Sequence, residues 1–111
     1  MKIVNRGYIV VSPTKLFWDW ANQFEDDLEF NVEDDMEPNV YLIAEEFFDI
    51  EPIIEQNFKK IFSNELSMIT DNQSDWPEDR SIDVFLEWFE LEVGSSVFDL
   101  EKDNLKSEKV S

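Results

Sequence analysis

The sequence predicts an α+β domain of two layers, and three observations carry that prediction. The chain has 111 residues, the size of one domain. Leu, Ile, Val and Phe make up 36 of them, and ten Phe and four Trp would be very unfavourable left in water. That apolar content outweighs the pull toward disorder of a net charge of -18. Short β-branched runs also alternate with segments of helical periodicity, in the order β-α-β-α-α-β. The build implied is a small three- or four-stranded sheet packed by three helices over residues 1–101. Residues 102–111 read as a polar, mobile tail.

Residues 6–12 read as the first strand. Tyr8-Ile9-Val10-Val11 is a short apolar, largely β-branched run bounded by Gly7 and by Ser12-Pro13. Ser12 is placed to cap a helix with Pro13 in its first turn. Leu16, Phe17, Trp20, Ala21 and Phe24 share the core face of that helix, and Trp18 points away from it. Residues 25–37 hold eight acidic side chains in thirteen positions. Leu28, Phe30 and Val32 have the period of an edge strand there, and a charged loop is an equal alternative. After Pro38-Asn39, residues 40–44 form the second strand.

Asp49 is placed to cap the clearest helix, in which Ile50, Ile53, Ile54, Phe58, Ile61, Phe62 and Ile69 recur at helical spacing. Residues 71–80 are a polar loop containing Trp76-Pro77. Ser81 caps the last helix, whose core face is Ile82, Phe85, Leu86, Phe89 and Val93, and Gly94 ends it. Residues 95–100 are a third strand. Neither of the first two strands alternates with polar residues, a feature of strands buried on both faces. Either the helices cover both faces of the sheet, or one face serves a homo-oligomer or a binding partner.

Composition removes whole classes of chemistry. With no His and no Cys there are no Cys nucleophiles, imidazole bases, Ser-His-Asp triads, zinc or iron–sulfur sites, or disulfides. The polar run 71–75 lacks the glycine and the alternation of a calcium loop, so no metal and no other cofactor is expected. No apolar run suits a signal peptide or a membrane span, which leaves a cytoplasmic location as the expectation. The excess of 27 Asp and Glu over 9 Lys and Arg opposes direct binding to nucleic acid or to an anionic membrane. It is compatible with a basic protein partner, with divalent cations, or with solubility alone.

The candidate partner site centres on the last helix. Val84, Trp88 and Leu91 form a second apolar stripe roughly opposite the core face, beside a row of Asp83, Glu87 and Glu90. Trp88 next to carboxylates suits an anchor for a basic surface. The competing expectation is that Trp88 packs inside, under the Trp76-Pro77 loop or the acidic segment. Trp18 poses the same choice, and Glu33, Asp34 and Asp35 extend the acidic surface. The function expected is a non-enzymatic acidic interaction domain. One alternative is a DNA mimic or nuclease-immunity-type inhibitor, whose carboxylates occupy a basic groove. Another is a carboxylate-dependent hydrolase using two of the acids.

Several landmarks taken together resemble a family of small acidic uncharacterised bacterial proteins. They are Asn5-Arg6-Gly7-Tyr8, Val40-Tyr41-Leu42-Ile43, Trp76-Pro77, and the stretch from Trp88-Phe89-Glu90 through Ser96-Val97-Phe98-Asp99-Leu100. The resemblance spans about residues 3 to 101. It implies a single-domain, cytoplasmic bacterial protein and brings no activity or binding residues with it.

Overall fold

The computed structural model of the chain describes residues 1–24 and 37–110. Their order is β1 (Lys2–Val4), β2 (Gly7–Pro13), α1 (Lys15–Ala21), β3 (Asn39–Ile43), α2 (Ile50–Ser67), a 3-10 turn (Gln73–Asp75), α3 (Ile82–Trp88), β4 (Phe89–Gly94) and β5 (Val97–Asp99). They form an α+β fold with two antiparallel sheets, a β3-β2-β4 sheet and a β1-β5 pair. The acidic stretch 25–36, including the edge strand suggested by Leu28, Phe30 and Val32, lies outside the described residues.

β2 is the centre of the larger sheet because it has no charge and pairs on both sides. Val10 lies opposite Val40 on β3 and Glu92 on β4, and Tyr8 lies opposite Leu42 and Gly94. Side chains alternate between faces along a strand. Gly7, Ile9, Val11 and Pro13 are accordingly buried toward the helices, and Tyr8, Val10 and Ser12 are half-buried on the other side. Gly7 is required by crowding. A Cβ there would sit 2.9 Å from the Gly94 carbonyl oxygen and 3.0 Å from that of Ala44, both main-chain atoms of the neighbouring segments.

The core is largely aromatic. Phe17, Phe62, Phe85 and Phe89 are buried with Ile9, Val11, Ile61 and Leu66. Phe62 touches the rings of Phe85, Trp88 and Phe89 at centroid distances of 5.6 to 5.8 Å. Such pairs contribute roughly 0.5–1.5 kcal/mol beyond their buried area. Trp20 and Trp76 satisfy their indole N–H groups on the Asp75 and Thr70 carbonyls, each at 3.0 Å.

The structure corrects five expectations. The first helix starts after Thr14 and not after Ser12, because β2 runs on to pair Pro13 with Phe89. Thr14 joins that corner to the end of α3, donating from its N–H to the Trp88 carbonyl (2.9 Å) and from its hydroxyl to the Glu87 carbonyl (2.9 Å). The buried face of α1 is also rotated. It holds Phe17, Trp18, Trp20 and Ala21, while Leu16 is exposed.

The last helix stops at Trp88, and residues 89–94 are a strand. Phe-Glu-Leu-Glu-Val fits both periods, and short apolar runs are ambiguous in this way. Continuing the helix would align Asp83, Glu87 and Glu90 at repulsive spacing, whereas a strand pairs with the open side of β2. Gly94 thus ends a strand and not a helix. Finally, the strand expected over 95–100 does not join the main sheet. Val97–Asp99 pairs with an additional strand, Lys2–Val4, with Ile3 opposite Phe98.

The Ser81 cap forms as expected, its hydroxyl accepting from the Val84 N–H at 3.5 Å. Asp49 occupies the N-cap position of α2 without a side-chain cap bond. Residues 101–110 are exposed and carry no regular structure. The Lys2 ammonium holds the beginning of this segment by donating to the Lys102 and Asp103 carbonyls.

Candidate functional site

Two places in the fold hold polar chemistry against an apolar setting. The first is internal. Glu65 on α2 is 2% exposed, the one buried charged residue among those described. Its Oε2 accepts from Asn39 Nδ2 at 2.8 Å and from the Tyr41 hydroxyl at 2.7 Å, and Asn64 Nδ2 donates to the same hydroxyl at 2.9 Å. Burial pushes the Glu65 carboxyl above its ordinary value, partly offset by the two bonds it accepts. Burial is also the main cause that raises the Tyr41 phenol well above 10, with the adjacent Glu65 carboxylate acting in the same direction.

A cavity of about 200 Å³ adjoins this cluster, lined in part by Phe17, Trp18, Glu37 and Glu65. It is smaller than the roughly 300–1,000 Å³ usual for small-molecule sites. With one Glu65 oxygen engaged by two donors, the cluster acts as a polar tie between β3 and α2. Among the described residues, no three carboxylates converge as metal ligands would.

The second place is the outer face of the larger sheet. The register sets residues in rows across it: Leu42–Tyr8–Gly94, then Val40–Val10–Glu92, then Ser12–Glu90. Val40 is 60% exposed and Leu42 49%, and Glu90 and Glu92 are exposed. The face therefore grades from apolar on β3 to acidic on β4 across about 10 Å, two strand spacings. Neither Glu90 nor Glu92 takes part in an ion pair among the described residues.

The residues singled out from the sequence are not assembled into one surface. Trp18 is 7% exposed and stands edge-on to Phe17 at 5.2 Å, so it is a core residue and not an exposed anchor. Trp88 is half-buried, its ring 5.8 to 6.3 Å from those of Phe17, Trp20 and Phe62. It packs inward against rings of α1 and α2, and the acidic segment, one of the two covers expected for it, lies outside the described residues. Asp83 and Glu87 are exposed on α3, and Glu90 is separated from them on β4. The stripe of Val84, Trp88 and Leu91 does not exist as a helical face, because Leu91 is in the strand. Glu33, Asp34 and Asp35 lie outside the described residues.

Two features escaped the sequence reading although a signal was present. Glu65 falls on the apolar stripe of α2, four residues after Ile61 and three after Phe62. An acid at a core position of a helix marks a buried polar partner. Glu90 and Glu92 alternate with Phe89, Leu91 and Val93 at strand period. No helix among the described residues is long and apolar enough to cross a membrane. Comparison with known proteins gives no matching family model, no matching curated protein and no matching solved structure.

Proposed function

We propose that this chain is a non-enzymatic interaction domain that takes a basic protein surface on the outer face of its β3-β2-β4 sheet. The observation that carries this reading is the face itself, on which, among the described residues, Val40 and Leu42 of β3 are exposed and the exposed Glu90 and Glu92 of β4 have no ion-pair partner. Exposed apolar area with a charged margin is the usual composition of a contact surface. The net charge of -18 would steer a basic partner toward it and repel nucleic acid. The lack of His and Cys, and the engagement of Glu65 in a structural tie, both favour binding over catalysis.

The test compares capture by three proteins: wild type, Val40→Thr/Leu42→Thr and Glu90→Gln/Glu92→Gln. Bound material from lysate is eluted in a salt gradient and identified by mass spectrometry. One basic protein held in stoichiometric amount by wild type, and lost by both variants, supports the reading. Equal capture by all three overturns it, since binding would then follow net charge alone. Competition by DNA for the captured protein would identify the decoy form of the same function.

A further inference from the structure

β4 is an edge strand. It pairs with β2 on one side, and among the described residues nothing pairs with the other. One hydrogen bond sets its phase. The Thr14 N–H donates to the Trp88 carbonyl, and these two residues continue the β2–β4 register beyond Pro13 and Phe89. Bonded and non-bonded pairs alternate in an antiparallel ladder. Glu90 and Glu92 therefore turn their main-chain groups toward β2, and Leu91 and Val93 turn theirs to the open edge. Such an edge is a template for another strand.

The two sides of this edge differ. Along β4 runs an open groove of about 580 Å³, lined by Ile54, Leu86, Phe89 and Leu91 and at its other margin by Glu90 and Glu92. Leu86, expected in the core, is 49% exposed here. Glu90 and Glu92 alternate with Leu91 and Val93 along the strand and are exposed at a two-residue spacing. A second copy of the chain would bring its own acidic edge and a further -18 charges against these carboxylates. A basic strand meets the opposite sign.

We infer that an extended segment of the partner adds antiparallel to β4 as a fourth strand, with Lys or Arg over Glu90 and Glu92 and alternate apolar residues against Ile54 and Leu86. This rests on the basic-partner reading above and supplies the partner's form: an extended segment alternating basic and apolar residues. Residues opposite Leu91 and Val93 share their face and exchange main-chain bonds with them. The apolar residues of the added strand thus donate to β4, and its basic residues direct their N–H groups away.

The probe is a blocked synthetic peptide alternating Lys and Val, titrated into the full chain at low salt. N-methylation of its valines should weaken binding about tenfold or more, the effect of losing two hydrogen bonds. N-methylation of its lysines should change it little. Amide exchange at Leu91 and Val93 should slow about tenfold on saturation.

Equal binding by the valine-methylated peptide would overturn strand addition and leave the basic-partner reading standing. Equal binding by a peptide with Gln for every Lys, with Leu91 and Val93 still protected, would overturn the basic-partner reading and keep strand addition. No binding of the parent peptide would overturn the proposal. So would a dimer in sedimentation whose Leu91 and Val93 amides are protected without peptide, because the occupant would then be a second copy.

Discussion

The two faces of the β3-β2-β4 sheet are made by the same three strands and have opposite characters. The inner face carries Ile9, Val11, Ile43 and Phe89 into a dense aromatic core, and Glu65, the one buried charged residue among those described, has two hydrogen-bond donors. The outer face leaves Val40 and Leu42 in water beside Glu90 and Glu92. Along β2 both faces carry large apolar groups, Ile9 and Val11 inward and Val10 and the Tyr8 ring outward. What separates them is where the helices dock. Burial gives a residue its role in stability, and exposure of the same residue type leaves it free for recognition.

The sharpest way to break this contrast is truncation at equivalent apolar positions. Phe62→Ala, at the centre of the ring cluster, should cost about 3–5 kcal/mol in chemical denaturation. Trp88→Ala should fall toward the same range. A Trp88→Ala variant of wild-type stability would show that this indole is not part of the core.

Glu65 comes next. Glu65→Ala leaves the Tyr41 hydroxyl and the Asn39 amide without their acceptor and should cost about 1–3 kcal/mol. The pH dependence has a definite sign. The folded carboxyl is raised above 4.5, so the native state keeps a proton that the unfolded chain releases. Its contribution is full below pH 4.5 and is lost as the pH climbs through the raised value. Glu65→Gln should remove this decline. Subtracting its denaturation curves from those of wild type, between about pH 4 and about pH 8, cancels the general repulsion among the other acids. A difference that does not change with pH would mean that the carboxyl titrates normally. Tyr41, raised from 10.0, adds a second loss of the same sign above pH 10.

Salt separates the faces more gently. Screening a net charge of -18 should raise the melting temperature, by about 4–8 °C if self-repulsion costs about 1 kcal/mol. Glu90→Gln/Glu92→Gln should reduce that response. A flat response from low to moderate salt would show that the crowded acids do not destabilise the fold.

The smallest effect on stability belongs to Val40→Thr/Leu42→Thr, within about 0.5 kcal/mol, because these side chains are already exposed. The same pair should abolish partner capture. A large loss of stability would instead place this face in the core.

The elements with a single dominant period were readable before the structure was known. α2 carries its apolar repeat over eighteen residues, and the Ser81 cap forms where it was expected. The candidate site was less readable, for two reasons. α1 has only seven residues, too few for periodicity to determine which way it faces, and Trp18 turns inward. Residues 89–93 satisfy both helix and strand periods, and the open side of β2 decides between them.

The amino-acid order alone carries the folding of this chain, its α+β class, its acidity and its lack of imidazole and thiol chemistry. Each follows from composition or from local period, and none needs a neighbour to define it. Which face of the sheet is covered, that Glu65 is buried, that Trp18 and Trp88 pack inward, and that Glu90 and Glu92 flank an open edge are decided by tertiary contacts. An apolar strand has two equivalent sides and a short helix several, and only the packing of distant segments makes one side interior and leaves the other to solvent.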